Sequence, residues 1–195
     1  TVGRYDEAES SFELAMLLQP DLFDTYYFYG RNCFNLGNFV KAADLFGHAA
    51  RLKRDDYRSL GLQAMCFQSL AQLGEARTAA RSALARAEAA VAERPDEADA
   101  LSFGAGLLAF LGEYSRTRDW AERASVIEPD DFYTQYNIAC AFAILGRKEE
   151  ALDRLELVMD ARTLRSQQQY MMNDSDLDLL RDHPRYQALL RKLGY

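Results

Sequence analysis

Apolar and small residues recur three and four positions apart along most of this chain, the spacing that turns one face of an α-helix toward a core. Tyr26-x-x-Tyr29-Gly30-x-x-Cys33, Leu60-x-x-Gln63-Ala64-x-x-Phe67, Leu101-x-x-Gly104-Ala105-x-x-Leu108 and Gln135-x-x-Ile138-Ala139-x-x-Phe142 share one version of it. A large residue comes first, a small one sits four later, and an apolar one follows a turn below. A second version alternates with the first. In it a small residue (Ala8, Ala42, Ala79, Thr117, Ala151) is often followed one turn later by a larger apolar one, as at Phe12, Phe46 and Leu155. The two versions predict two kinds of helix in alternation, and so a run of helical hairpins.

Short glycine-led motifs separate them: Gly3-Arg4-Tyr5-Asp6-Glu7-Ala8, Gly37-Asn38-Phe39-Val40-Lys41-Ala42, Gly74-Glu75-Ala76-Arg77-Thr78-Ala79, Gly112-Glu113-Tyr114-Ser115-Arg116-Thr117 and Gly146-Arg147-Lys148-Glu149-Glu150-Ala151. The glycines stand 34, 37, 38 and 34 residues apart, so the chain repeats a two-helix unit. Glycine suits the end of the first helix, where the backbone enters the left-handed region. An aromatic two residues on (Tyr5, Phe39, Tyr114) is placed to plug the closed end of the hairpin. Pro20, Pro95 and Pro129 mark the exits of second helices, with Arg54 in the matching place of the second unit. Few prolines and runs such as Ala79-Ala80-Arg81-Ser82-Ala83-Leu84-Ala85-Arg86-Ala87 favour long helices.

On these motifs the chain resembles the tetratricopeptide repeat family over residues 3–160. The resemblance implies an all-α, right-handed superhelix of about four and a half hairpins, with units near 3–22, 23–56, 57–97, 98–131 and 132–160 in an array spanning 1–160. Two units depart from the pattern. The third carries about one extra helical turn and has Ala83 where a large residue is expected, and the fourth has Thr117 and Ala121. Residues 161–195 read as a linker and a capping segment, the last helix opened by Pro184. Their phrase Asp178-Leu179-Leu180-Arg181-Asp182-His183-Pro184-Arg185-Tyr186-Gln187-Ala188-Leu189 is similar to the close of repeat regions attached to bacterial nucleotide cyclases and Ser/Thr kinases, with Leu179 in place of the usual proline. Since Thr1 falls within a helix-turn, the chain reads as a fragment of a larger signalling protein.

Composition narrows the chemistry. A net charge of −7 and the absence of a long basic run argue against a nucleic-acid surface; Arg51-Leu52-Lys53-Arg54 reads as a helix C-terminus with cations at its dipole. No apolar run approaches the roughly 18 residues of a membrane span. Cys33, Cys66 and Cys140 lie far apart among apolar neighbours, unlike a zinc site or disulfide framework, and fit a reducing cytoplasm. His48 and His183 have no catalytic partner in view; the first suits packing, the second a helix entrance. Asp174-x-Asp176-x-Asp178 begins like a calcium loop, but Leu179 and Arg185 stand where that loop needs glycine and glutamate. These acids read as caps for the next helix. Gly104-Ala105-Gly106 lies in a helix and forms no phosphate loop; its glycines suit close helix approach or a dent in the surface. Neither a catalytic constellation nor a cofactor or metal site is expected.

The resemblance implies a binding face built from first helices. Carried over, its partner-facing positions are Tyr27, Arg31, Phe34 and Asn35; Gly61, Met65, Gln68 and Ser69; Ser102, Gly106, Ala109 and Phe110; and Tyr133, Tyr136, Cys140 and Ile144. Tyr26 and Tyr29 pack between helices instead. The Lys and Asn residues with which some relatives clamp a terminal carboxylate are replaced here by Tyr27, Arg31, Gly61 and Met65, so that ligand is not expected. The expected partner is a protein or peptide with an apolar face and one acid, or a second copy of the chain. The alternative is a regulatory or oligomerisation segment of a cyclase or kinase with no separate ligand.

Overall fold

The computed structural model describes residues 2–159, 168, 171, 172 and 174–195, with side chains from residue 7 onward. The expected plug at Tyr5, the end of the array at residue 160, the linker residues 161–167 and Asn173 lie outside the described residues or side chains. The helices are α1 (Val2–Leu18), α2 (Phe23–Asn35), α3 (Phe39–Leu52), α4 (Tyr57–Ser69), α5 (Leu73–Glu93), α6 (Ala98–Leu111), α7 (Tyr114–Ile127), α8 (Phe132–Ile144) and α9 (Lys148–Val158). A 3₁₀ turn at Ser175–Leu180 and α10 (Pro184–Leu193) follow. From α2 to α9 each helix packs on the next, and α6 also packs against α8. Among the described residues the result is a single helix followed by four hairpins, in a right-handed all-α superhelix. No described helix is long and apolar enough to cross a membrane.

Local chemistry sets the starts and stops. Asn38, Asp56 and Asp131 each accept the amide N–H three residues on, at 3.3, 2.9 and 2.8 Å. Such caps contribute about 1 kcal/mol each. Gly37, Gly112 and Gly146 take the left-handed conformation at φ +75°, +87° and +72°, as expected at hairpin ends.

The third repeat unit, hairpin α4–α5, breaks the expected register. Its left-handed residue is Ala71, at φ +58°, and Gly74 lies inside α5. Measured between left-handed residues, the spacing is 34 from Gly37 to Ala71, 41 to Gly112 and 34 to Gly146. The inserted length is therefore seven residues, two helical turns rather than one, and the 21-residue α5 accommodates it. The residues equivalent to Ala42 and Phe46 are accordingly Ala76 and Ala80, not Ala79 and Ala83. All four alanines are buried.

Packing trades size across the hairpins. In the second unit a Cβ on Gly30 would meet the Phe46 ring at 2.8 Å, so Gly30 makes room for that ring. The fourth unit, short of a large residue at Ala121, supplies Trp120 one position earlier; a Cβ on Gly104 would collide with its indole. Phe39 closes its hairpin edge-on to Phe34, 5.4 Å between centroids. Tyr114, expected to plug the fourth turn, is instead 62% exposed, leaving that turn to the glycine alone.

Three buried clusters follow one another along the array. The last joins α8 and α9 to Leu177, Leu180, Tyr186 and Leu189 of the tail. Arg185 binds Glu149, Asp153 and Glu156 of α9 at 2.6–2.8 Å. The His183 ring accepts the Arg185 amide N–H at 3.3 Å and opens α10, while His48 stacks on Tyr26 at 4.0 Å. All three cysteines are buried, and burial pushes the Cys33 and Cys66 thiols up to about 11 and 12.

Candidate functional site

The first helices α2, α4, α6 and α8 line a concave groove. At its head lies a hollow of about 250 Å³ walled by Tyr27, Leu62, Phe103, Phe132, Tyr133 and Tyr136, with Arg31, Arg58, Asp99 and Asn137 at its polar edge. Phe103 reaches this wall because Gly61 lies beneath it; a Cβ there would collide with the ring. Phe132 stacks on Tyr136, 5.9 Å between centroids, and meets Tyr133 edge-on at 5.1 Å. Arg58 pairs with Asp99 at 2.5 Å, and the Tyr57 hydroxyl donates to the same carboxylate. Burial pushes the Tyr27 hydroxyl above its ordinary range, against the pull of Arg31 and Arg58.

Further along, the groove is narrower and holds part of the chain's own tail. Here Met65, Gln68, Gly106 and Phe110 face Tyr136, Cys140, Asp174 and Asp176. The Asp174 carboxylate accepts the Tyr136 hydroxyl at 2.7 Å and the Asp176 amide N–H at 3.0 Å, and the Cys140 thiol lies 3.6 Å from it. Asp174 thus caps the 3₁₀ turn, as read from the sequence. Asp178 pairs with Arg181 at 2.7 Å, whereas Asp176 points into the groove beside Gln68. Burial pushes both carboxyls up, and the neighbouring Asp174 raises Asp176 further. One donor oxygen from each of these acids and the Cys140 sulfur lie within 4.8 Å of one another. They are the one group among the described residues that could share a metal ion, and within it the Cys140 thiol already points to the Asp174 carboxylate.

The structure gathers most of the positions read from the sequence. Tyr27, Arg31, Tyr133 and Tyr136 meet at the hollow; Met65, Gln68, Gly106, Phe110 and Cys140 meet at the narrow part. Of the glycines of α6, Gly104 gives the close approach, and Gly106 gives the dent, since a Cβ there would meet nothing within 4 Å. Phe34 and Ser102 are buried and offer little surface to the groove. Phe34 is packed against Phe39, and the Ser102 hydroxyl donates to the Asp99 carbonyl at 3.2 Å. Asn35 lies at the hairpin end of α2 and lines neither part of the groove. Sequence reasoning missed Arg58, Asp99 and Phe103. Arg58 and Asp99 are the repeat equivalents of Tyr133, one turn before Gly61 and Ser102, so extending the face by a turn on α4 and α6 would have found them. Asp174 and Asp176 carried no such signal, because no periodicity leads from the tail to the groove.

No protein-family model matches the chain, and no curated protein matches it closely. Solved structures do resemble it. TTC0263, described as a thermophilic TPR protein in Thermus thermophilus, superimposes with a TM-score of 0.59 at 20% identity, over 88% of this chain and 91% of that one. MamA 41-end from Desulfovibrio magneticus RS-1 gives 0.51 at 16% identity, over 80% and 85%. At such identities the likeness is one of architecture, and this chain has the fold of the tetratricopeptide repeat proteins.

Proposed function

We propose that this array is a protein-interaction module that holds a partner protein or peptide in its concave groove. The observation that carries this reading is the aromatic hollow. Four helices distant in sequence converge there on rings and guanidinium groups, the side chains that most often anchor binding partners. Among the described residues the lining of the hollow holds no serine, cysteine, histidine or lysine, and its rings and guanidinium groups are placed to orient a partner. The cytoplasm suits three unpaired thiols. A regulatory role within a larger signalling protein, such as a cyclase or kinase, rests on the tail phrase and is compatible with the same groove.

The test is capture from source-cell lysate by the full chain and by an Arg31→Glu/Tyr133→Ala variant. Both substituted residues stand at the rim of the hollow, so the helical content should remain. The expected result is a protein held by the wild type and lost by the variant. Recovery of a second copy of the chain would identify self-assembly. Identical captures by both baits would overturn a role for the groove.

A further inference from the structure

Size and charge decide what the hollow at the head of the groove can take. Its volume of about 250 Å³ exceeds the roughly 150 Å³ of an apolar cavity that admits a benzene ring, and falls short of the roughly 300–1,000 Å³ of pockets for larger ligands. It has room for one large side chain and not for two. The charges at its edge answer one another. Around the Tyr27 hydroxyl, Arg31 and Arg58 act with one sign and Asp56 and Asp99 with the other. Arg58 pairs with Asp99 at 2.5 Å, and its guanidinium lies over the Tyr57 ring, 5.1 Å from the centroid. Two guanidiniums set against two carboxylates leave the edge close to neutral, so the hollow selects by shape and by its rings. Phe132, stacked on Tyr136 and edge-on to Tyr133, offers a ring face and ring edges, the surfaces that aromatic pairs prefer. The tail keeps the groove from running on. Beyond Phe103, Tyr136 and Asn137, which line both parts, the narrow part holds about 50 Å³, too little for a second large side chain. Asp174 and Asp176 of the tail wall it, and Leu177 and Leu180, fully buried against α8 and α9, hold the turn there. The Asp174 carboxylate accepts the Tyr136 hydroxyl at 2.7 Å and so fixes a ring that separates the two parts.

From this geometry, and resting on the reading of the groove as a peptide site, we infer that the hollow is a socket for one aromatic side chain. The partner is a protein segment that projects a single Trp, Tyr or Phe against Phe103, Phe132 and Tyr136 and crosses the groove there. It does not lie extended along the groove, because the tail leaves no second place of that size. A branched aliphatic side chain would fill the space without the face and edge contacts to these rings, so the socket prefers an aromatic to Leu or Ile. Binding energy then concentrates in one buried anchor ringed by contacts that exclude water. With a neutral edge, its strength depends little on salt.

The test selects a displayed library of random dodecapeptides against the full chain and measures the best peptide by calorimetry. Wild type is expected to enrich peptides that share one aromatic residue and no fixed charged position. Exchanging that residue for Leu should weaken binding roughly fivefold, and raising the salt from about 50 to about 300 mM should change it less than about twofold. Phe132→Leu keeps an apolar wall but removes a ring face. It should weaken the aromatic peptide roughly fivefold and leave the Leu-exchanged peptide unchanged. If Phe132→Leu fails to fold by circular dichroism, Tyr133→Leu at the exposed rim replaces it, with the same split expected. Peptides sharing a fixed charge or two spaced apolar positions, or an aromatic peptide that tolerates either exchange, would overturn the socket while leaving peptide binding intact. Enrichment of no peptide by wild type would overturn both readings.

Discussion

The hairpins α2–α3 and α4–α5 solve the same packing problem with opposite materials. In the first, Gly30 opens a place for the Phe46 ring, and Gly37 makes the turn at φ +75°. In the second, the equivalent positions are Ala64, Ala80 and Ala71: two small residues share one buried cluster, and the turn is made by an alanine at φ +58°. Close approach of backbones replaces a filling ring, and α5 is 21 residues long where α3 has 14. The repeat position therefore fixes the backbone path, while the residue filling it can vary if its neighbour varies in the opposite sense.

This contrast can be broken by substitution, with guanidinium unfolding followed by circular dichroism as the readout. Phe46→Ala should cost the most, about 4 kcal/mol, because the space beside Gly30 has nothing to refill it. Ala80→Leu makes α4–α5 more like α2–α3 and should nevertheless cost about 2 kcal/mol by overpacking against a wall built for alanine. A stabilised Ala80→Leu variant would show instead that the α4–α5 hairpin is loosely packed. The smallest effect should come from the turns. Ala71→Gly removes a left-handed strain and should gain about 1 kcal/mol, whereas Gly37→Ala introduces it and should lose a similar amount.

The groove teaches a related lesson about legibility. Tyr27, Arg31, Tyr133 and Tyr136 are visible in the sequence because they obey the repeat, and the hollow is where they meet. Arg58 and Asp99 obey it too, one turn earlier on the same face. The third turn misled for a local reason. Gly74 offers the expected residue type three positions after the actual turn, and only the backbone shows that Ala71 bears the positive φ. A glycine marks where the left-handed conformation is easy, not where the chain must adopt it.

By itself, then, the sequence determined the local events. These are the alternating helices, the glycine turns at Gly37, Gly112 and Gly146, and the Pro184 helix start. Each rests on interactions within a few residues, which spacing and residue type reveal. Tertiary structure alone decided which side chains from distant units share a hollow, and that Phe103 lies over Gly61. It alone brought Asp174 against Tyr136, 38 residues away, and Asp176 into the groove. Those contacts follow from the stacking of hairpins and from the burial of Leu177 and Leu180 on α8 and α9, a docking driven by apolar area that no charge pattern in the tail records.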